Sequence, residues 1–559
     1  MSKKTGGLGR ISFLLGSSVL VFMASILFLN SGLFVLRRSI SPAGFYIAFA
    51  AALFYIAWGA RNYFDKKAVI ISAILSLVLL GTVFLSLDVA GRFYDLSYDG
   101  QAYHQEAIIH LNNGWNPIYS LPLQGEFRRW VNYYAKAPWI YASQVYKTSG
   151  HIEQGKAFNF LLILAAFFLS FAAFLAFDEK KRGLALILSI ALALNPVSIY
   201  QTLSFYVDGQ LASLLTALAA LSYLCFVRSD RLTLLALSLC TIMVVNAKFT
   251  GLIYALIFNA GLGLWFFLKK RGEILKIAGL IAATYLVAVF FIGYNPYVTN
   301  TLRNGHPFYP VAGSKAINVY SNKLPANFQN AGRFQKLFTS IFSRTENVFG
   351  PNGTTTWKWP FAVSALELAT LATADVRIGG FGPWFGGAFL LSCILILLSL
   401  PSIFPPRKHP FGSAILGMII FVSLSVAVNP ESWWLRYVPQ LWMIPLTAAA
   451  LSLYAPRKKT NAAFAWILMM ALAANIFMVA IPYCRGQSIE NIEFNRELQY
   501  LAGRPKPVFV NFNNFSSNRL RFIETGIAYK EVDGAPQDQE HLRSFHLVGS
   551  ETRVWVNDR

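Results

Sequence analysis

The feature that most constrains this chain is a series of long apolar segments that recur along most of its length. A helix needs about 20 mostly apolar residues to cross the hydrocarbon core of a bilayer. Apolar and polar residues do not alternate within the segments, which excludes a transmembrane β-barrel. The sequence therefore predicts an all-α polytopic membrane protein of about thirteen transmembrane helices, near residues 11–36, 42–60, 68–88, 158–177, 183–200, 207–227, 231–247, 250–268, 274–294, 380–402, 411–428, 434–454 and 461–482.

The composition supports this interpretation, since 55% of the residues are hydrophobic and 13% are charged. Soluble domains carry about 25% charged residues, so a soluble enzyme, a disordered chain and a fibrous protein are all excluded. The net charge of +22 would suggest a nucleic-acid partner in a soluble protein. Here the basic residues lie in short loops between apolar segments, where they set membrane topology, and no nucleic-acid partner is expected.

Lysine and arginine in the short loops predict the orientation of the chain, because cytoplasmic loops are enriched in both. With the N-terminus in the cytoplasm, six basic loops are cytoplasmic, and thirteen spans place the C-terminus outside. The predicted location is the bacterial plasma (inner) membrane, with the active site on its extracytoplasmic side. The six loops carry Arg61, Lys66 and Lys67; Lys180, Lys181 and Arg182; Arg228 and Arg231; Lys269, Lys270 and Arg271; Arg407 and Lys408; and Arg457, Lys458 and Lys459.

This topology divides the chain into three parts. Residues 1–67 form an N-terminal two-span segment, and residues 68–483 form a transmembrane core with large outer loops at 89–157 and 295–379. Residues 484–559 form an extracytoplasmic tail. Short runs rich in β-branched residues near 506–512, 527–532, 546–548 and 552–556 predict strands, and hence a small α/β domain in the tail.

Acidic residues cluster where the first outer loop begins, at Asp95 and Asp99. Residues 100–113 predict a short amphipathic helix that ends at Gly114, and aspartate is a preferred N-cap, so helix capping is one explanation of Asp99. Asp208 lies at the start of a predicted span within a similar pattern: Tyr98-Asp-Gly-Gln101 matches Tyr206-Val-Asp-Gly-Gln210. Acidic groups at membrane depth are costly and usually functional. Asp99 is therefore the catalytic candidate, with Asp208 and Asp95 as a second acidic site.

Few basic residues fall on the predicted outer side, and these suit a phosphate that carries a lipid tail. The phosphate-binding candidates are Lys248, Arg303, His306 and Arg436, in a setting rich in Trp and Tyr. The alternative is interfacial anchoring by aromatic and snorkelling basic side chains. Candidates for the acceptor side are Tyr103, His104, Glu106 and Glu431. No phosphate-binding loop, dinucleotide fingerprint or HExxH zinc pair is present.

In their order along the chain, these motifs resemble the GT-C-type membrane glycosyltransferases over roughly residues 68–455. The resemblance is carried by 98–101, 206–209, 248–251, 295–296, 305–310 and 436–437. The chain differs from the simplest family layout in having two spans before the helix that leads into the acidic loop. It also has no Asp-x-Asp or Asp-Glu pair at the start of that loop, which leaves a divalent metal open as a cofactor.

The resemblance implies a polytopic GT-C-like fold and a sugar donor carried on polyprenyl phosphate. It implies that Asp99 acts as general base on a hydroxyl of a glycan, lipid or protein acceptor, and that transfer proceeds with inversion. No further cofactor is implied. Two alternatives stay open, an outer-face polymerase or ligase of lipid-linked glycans and a transporter or flippase. Many transporters show internal repeats, and none is visible in this sequence.

Overall fold

The computed structural model of the protein describes residues 6–125, 127–318, 323–348, 350–403, 410–454, 458–504, 507–536 and 542–557. Three of the predicted cytoplasmic basic residues, Arg407, Lys408 and Arg457, lie outside the described residues, and so does Lys506 at the start of a predicted strand. The described chain is mostly helical. Its first twelve α-helices are α1 (Gly7–Val35), α2 (Ala43–Phe64), α3 (Ala68–Gly91), α4 (Gln105–Asn112), α5 (Arg128–Tyr133), α6 (Ala137–Ser149), α7 (Ala157–Phe177), α8 (Arg182–Ala193), α9 (Pro196–Ile199), α10 (Asp208–Arg228), α11 (Arg231–Ala247) and α12 (Phe249–Lys269).

The second part of the chain contains the remaining helices and all the strands found among the described residues. The helices are α13 (Ile274–Leu286), α14 (Thr299–Asn304), α15 (Arg333–Phe342), α16 (Ala365–Thr370), α17 (Phe385–Ile403), α18 (Pro410–Ala427), α19 (Met443–Tyr454), α20 (Lys459–Ala502) and α21 (Asn518–Glu524). The strands are β1 (Val508–Asn511), β2 (Tyr529–Glu531), β3 (Leu542–His546) and β4 (Arg553–Asn557).

An α-helix occupies each of the thirteen apolar segments, wholly or in part. Within the described residues, seven helical stretches are long and apolar enough to cross a membrane. One of them, Ala43–Gly91, contains both α2 and α3, which pack against each other across the turn at Asp65–Lys67. The count of thirteen spans and their orientation remain predictions. The seven stretches are Gly7–Val35, Ala43–Gly91, Ile152–Phe177, Asp208–Arg228, Phe249–Lys269, Arg271–Ile292 and Lys459–Ala502.

Two predicted spans are interrupted between helical turns, and the prediction of one continuous helix was wrong there. A third, 274–294, changes from α13 to a π-helix at Val287. The segment 183–200 breaks after α8, and α9 restarts at Pro196 behind an Asn195 side-chain cap. The segment 434–454 begins with two 3₁₀ turns, the second of which starts at Pro439, before α19. Proline lacks the N–H of a continuous helix and its ring clashes with the preceding turn. The two breaks meet where Asn195 Nδ2 donates to the Pro439 carbonyl at 2.9 Å.

The helix of the last predicted span is much longer than predicted, because α20 runs for 44 residues, past the expected tail boundary at 484. At 1.5 Å per residue this is roughly 66 Å. Its final turns form a separate apolar core with the tail, in which Phe494 and Leu498 pack against Val510 and Phe522. Leu96 from the first loop belongs to the same core, so the tail packs on the loop that carries the acidic residues.

The predicted α/β character of the tail is confirmed by a four-stranded sheet of order β2-β1-β4-β3. β1 and β2 are parallel, which requires the crossover supplied by α21, and the other two pairings are antiparallel. β3 lies slightly earlier than predicted, at Leu542–His546. The predicted short helix of the first loop is also present, as a π-helical turn at Gly100–His104 that continues into α4.

Candidate functional site

A group of buried ion pairs lies where four distant parts of the chain meet. Asp208 opens α10, Lys248 separates α11 from α12, and Asp375 follows α16, while Arg436 lies in the 3₁₀ turn before α19. Asp208 forms ion pairs with Lys248 and with Arg436, whose Nη1 is 2.6 Å from Asp208 Oδ2. Arg436 Nε lies 3.3 Å from Asp375 Oδ1. These four residues are called the Asp208 cluster below.

Burial makes the Asp208 cluster costly for the fold. The side chain of Asp208 is 1% exposed and that of Arg436 is 5% exposed. Moving a charge out of water costs several kcal/mol per ion, and buried ion pairs often add no net stability relative to apolar residues. Clusters of this kind in a cleft are therefore candidates for function.

Aromatic rings surround the cations of the cluster. Arg436 Cζ lies 4.9 Å from the ring centroid of Tyr206, 4.7 Å from that of Trp434 and 5.0 Å from that of Tyr437. Lys248 Nζ lies 3.9 Å from the Tyr437 centroid. Such contacts hold a cation through the ring quadrupole without neutralising it. The rings thus help to keep the cations in place beside their carboxylate partners.

Several buried polar atoms near the cluster have no hydrogen-bond partner in the described part of the chain. They include Arg436 Nε and Trp434 Nε1, which are obligate donors, and the Tyr200 hydroxyl. Tyr200 lies within electrostatic range of Arg436, Asp208 and Asp375. An unpaired buried donor costs about 1–3 kcal/mol, and groups left unpaired in a native fold call for an explanation. A ligand with acceptor oxygens, such as a phosphate or a sugar, would satisfy them.

Asp99 lies close to this cluster, directly before the π-helical turn, and is half-buried. Its side chain caps no backbone N–H, because Asp99 itself has helical φ and ψ whereas an N-cap is normally extended. Among the described residues, its carboxylate accepts one hydrogen bond, from the Tyr103 hydroxyl at 3.2 Å. Burial raises the pKa of Asp99 above its ordinary value, and the nearby Arg436 guanidinium opposes this rise. Lys323 and Asp375 also lie within electrostatic range.

His104 lies within electrostatic range of Asp208, and its ring is neutral. Its Nδ1 accepts a hydrogen bond from Trp139 Nε1 at 2.7 Å, so the ring proton lies on Nε2. Burial lowers the pKa of His104 to about 3. The ring also contacts Tyr103 and Tyr206. His104 can therefore donate a hydrogen bond to a ligand, but it carries no positive charge near neutral pH.

Asp95 forms hydrogen bonds that hold the fold together. Its fully buried carboxylate accepts hydrogen bonds from the backbone N–H groups of Ser97 and Phe205, at 2.9 and 2.7 Å. Its backbone carbonyl accepts a hydrogen bond from Arg521 of the tail at 2.6 Å, and Arg521 pairs with Glu153 at 3.0 Å. Asp95 thus ties the first loop to the segment before α10 and to the tail.

Glu106, an acceptor-side candidate, belongs to the same contact with the tail. Its carboxylate accepts a hydrogen bond from the Ser516 hydroxyl and lies 3.2 Å from Arg128 Nη2. Gln101 donates to the Gly549 carbonyl at 2.7 Å and accepts from Asn518 at 3.1 Å. The tail therefore holds the first loop on both sides of Asp99.

Three further candidates lie apart from the Asp208 cluster. Arg303 is exposed and donates to the Ile118 carbonyl at 3.4 Å. His306 Nδ1 accepts from its near neighbour Phe308, and Glu431 Oε2 accepts from Trp433 Nε1 at 2.5 Å. Within the described residues, none of the three forms a hydrogen bond or an ion pair with the cluster.

The two Asp-Gly-Gln motifs have a common physical basis. A Cβ on Gly100 would overlap the Asp95 carboxylate, and a Cβ on Gly209 would lie 3.1 Å from the Ser198 backbone. Gly209 N–H also donates to Gln201 Oε1 at 2.7 Å. The glycines thus allow close backbone packing, while the adjacent aspartates are directed towards one region.

The sequence did not single out Asp375, Lys323 or Trp434, and it marked Tyr206 only as part of the motif around Asp208, although all four contribute to this region. Asp375 and Lys323 lie in the long second loop, where no apolar periodicity marks a position. The sequence feature that could have indicated these two residues is a charged side chain near aromatic residues on the predicted outer side. In the described chain, no three His, Cys, Asp or Glu side chains are grouped so that they could hold a metal ion.

An apolar cavity of about 520 Å³ lies in the same helical bundle, between α7, α10, α12, α18 and α19. α10 and α12 both begin at the Asp208 cluster, and their later turns line the cavity with Thr216, Tyr223, Phe258 and Trp265. Thr216 lies about 12 Å along the helix axis from Asp208. Comparison with protein-family models and with curated proteins finds no match to this chain.

Proposed function

We propose that this protein is a GT-C-like membrane glycosyltransferase that moves a sugar from a polyprenyl-phosphate carrier to an acceptor hydroxyl, with inversion. One observation carries the proposal. Among the described residues the Asp99 carboxylate forms no ion pair, and it lies within electrostatic range of the buried Arg436, whose Nε makes no hydrogen bond. Displacement of a phosphate from a sugar needs a base that accepts the proton of the acceptor hydroxyl and an anion site that stabilises the leaving phosphate.

Arg436 and Lys248 are the proposed ligands of the donor phosphate. Among the described residues Trp434 Nε1 and Arg436 Nε make no hydrogen bond, although Arg436 Nε lies 3.3 Å from Asp375 Oδ1, and phosphate oxygens could accept from both. Positive charge at this position stabilises the lipid phosphate as it leaves the anomeric carbon. Asp208 is then a positioning residue, because it holds both cations.

The apolar cavity is the proposed site of part of the polyprenyl chain. It is lined mainly by apolar and aromatic side chains, which suits an isoprenoid, and it lies further along the helices that begin at the cluster. Burial of apolar surface contributes about 25 cal/mol per Å². The cluster and the cavity together therefore favour a ligand with an anionic head and a long apolar tail.

Asp99 is the proposed general base. The acceptor hydroxyl transfers its proton to Asp99 as its oxygen bonds to the anomeric carbon, and the bond from that carbon to the phosphate oxygen breaks. The electron pair leaves with polyprenyl phosphate, so no separate acid is needed at the leaving group. The raised pKa of Asp99 makes its ionised form a better proton acceptor than an exposed aspartate.

The test uses the purified full-length protein in lipid nanodiscs with synthetic polyprenyl-phosphate sugars and a panel of acceptors. The proposal predicts release of polyprenyl phosphate that depends on the acceptor, and no release from nucleotide sugars. Reaction only with lipid-linked oligosaccharides would indicate a polymerase or ligase. Movement of the lipid across proteoliposome membranes without cleavage would indicate a flippase. Either result would contradict the proposal.

A further inference from the structure

The second long loop exposes an unusual amount of apolar and aromatic surface. Trp359 is 85% exposed, Leu366 65% and Trp357 61%, and Phe334 and Phe338 are about half exposed. Soluble surfaces rarely expose contiguous patches of this kind unless they bind something. The residues Phe334, Phe338, Trp357, Trp359, Phe361, Val363 and Leu366 are called the aromatic platform below.

The helix α15 shows why this surface is not part of the protein core. Leu337 and Ile341 are buried against the bundle, whereas Phe334 and Phe338, one turn apart, stay exposed. The helix therefore has apolar residues both towards the protein and away from it. An amphipathic helix with aromatic residues on its outward side is typical of segments that lie in a membrane interface.

The platform packs on the first turn of α17, one of the predicted membrane helices. A Cβ on Gly386 would meet the Ile341 carbonyl, and a Cβ on Gly387 would meet the Phe361 ring. Phe361 also contacts Trp384, with ring centroids 5.7 Å apart. Phe361 has φ +66°, a rare conformation for a bulky residue that persists only where packing enforces it.

The apolar surface continues from the platform along α17, where Leu390 and Leu397 are exposed. Because the two apolar surfaces are continuous, we expect the platform and the exposed face of α17 to contact the same surroundings. Tryptophan is enriched at the boundary between the hydrocarbon core and water, and the platform lies where α17 begins. A bilayer that surrounds α17 would therefore reach Trp357 and Trp359.

The charged residues near the aromatic platform also suit contact with a lipid bilayer. Arg333 and Arg344 are exposed on this part of the loop, and Lys336 of α15 is partly exposed. Of the acidic residues in this segment, Glu367 is buried and paired with Lys358, and Glu346 is partly buried within electrostatic range of Arg344. Basic side chains beside interfacial aromatic residues attract anionic lipid headgroups.

We propose that the aromatic platform is embedded in the interfacial zone of the bilayer, with Arg333, Lys336 and Arg344 against anionic phospholipid headgroups.

This contact with the bilayer would also position part of the candidate site. Glu346 pairs with Ile378 across a β-bridge, and Asn347 Nδ2 donates to the Asp375 carbonyl at 2.8 Å. Membrane contact would therefore set the height of Asp375 above the bilayer, whatever reaction the site performs.

The experiment places a nitroxide on the full-length protein in nanodiscs that contain anionic phospholipid. Cys393 and Cys484 are replaced first, since Cys225 and Cys240 are buried. Single cysteines are then introduced by Phe338→Cys, Trp359→Cys and Leu366→Cys. Leu397→Cys on α17 is the control for lipid exposure, and Asp533→Cys in the tail is the control for aqueous exposure, since both positions are exposed. Collision rates with oxygen and with a water-soluble nickel complex are compared.

The proposal predicts that the three platform positions favour oxygen over nickel, between the two controls, and that phosphatidylglycerol increases this preference relative to phosphatidylcholine alone. Replacing Arg333, Lys336 and Arg344 with glutamine should abolish the added effect of phosphatidylglycerol. Collision rates equal to those of Asp533→Cys would overturn the proposal. Protection from both reagents would also overturn it, because a second copy of the chain would then cover the platform.

Discussion

Arg436 and Asp208 are 228 positions apart in the chain, yet Arg436 Nη1 lies 2.6 Å from Asp208 Oδ2. The contact joins the first turn of α10 to the 3₁₀ turn that precedes α19. Arg436 can reach Asp208 because its segment is not part of a regular α-helix. Pro439 interrupts the helix there, and Asn195 donates a hydrogen bond to the Pro439 carbonyl. Asp208 thereby fixes the guanidinium through Nη1, while Arg436 Nε faces Asp375 Oδ1 at 3.3 Å without a hydrogen bond to it.

Replacing Arg436 should weaken binding of polyprenyl phosphate. Charge-assisted hydrogen bonds contribute about 1.5–3 kcal/mol, so Arg436→Gln should raise Kd by about 10- to 150-fold. Arg436→Lys should recover part of this affinity, because it restores charge without the planar fork. The measurement is native mass spectrometry with polyprenyl phosphate, with exposed Arg303→Gln as control. Equal loss in the Arg303 variant would argue against a specific phosphate site.

The pH dependence of transfer should report the environment of Asp99. Burial raises the pKa of this carboxyl, and the base works only when ionised. Activity should therefore fall with decreasing pH at a value above that of an ordinary aspartate, about 3.9. The test follows kcat/KM against pH in wild type and in Asp99→Asn. Persistence of the same acid limb in the residual activity of the variant would assign it to another group.

Arg521 should stabilise the segment that carries Asp99. Its buried guanidinium donates to the Asp95 carbonyl and to Glu153. Arg521→Gln should lower the free energy of unfolding by about 1–3 kcal/mol and speed amide exchange across residues 95–112. The matched control is Arg519→Gln on the same helix, whose exposed pair with Glu531 should contribute about 0–1 kcal/mol. Unchanged exchange in the Arg521 variant would mean that the tail does not hold the loop.

The orientation of the chain can be tested at the C-terminus. Basic loops predict that the N-terminus is cytoplasmic and that the tail is outside. Alkaline phosphatase fused after residue 559 should therefore be active, and green fluorescent protein fused there should be dark when exported in unfolded form. The opposite pair of results would put the tail, and with it the first loop, in the cytoplasm.

Local features of the fold could be predicted from the sequence because they depend on local periodicity and composition. Each apolar segment holds a helix, and β1, β2 and β4 overlap the predicted runs, whereas β3 shares only His546 with its predicted run. The breaks at Pro196 and Pro439 and the full length of α20 were missed, because apolar content alone does not show where a helix ends. The prolines were visible in the sequence and could have indicated the first two.

The candidate site was only partly accessible from the sequence. Asp208, Lys248 and Arg436 could be singled out because charge is rare next to apolar segments. Their ion pairs, and the contribution of Asp375, depend on how distant segments pack, which no local pattern records. Asp95 and Glu106 were also candidates because they are acidic, but their side chains make structural contacts with the backbone and with the tail. Only the tertiary structure reveals these contacts.

The most direct test of the account is the rate of transfer by Asp99→Asn. Asparagine keeps the size of the side chain and can still contact Tyr103, but it cannot accept the proton. Loss of a general base typically costs a factor of about 10² to 10⁴ in rate. The variant should therefore fold and bind polyprenyl phosphate normally but transfer sugar slower by that factor. Asp88→Asn, which alters an exposed ion pair with Arg92 in the same region, should transfer at the wild-type rate. Near-normal turnover by Asp99→Asn would contradict the assignment of Asp99 as the base.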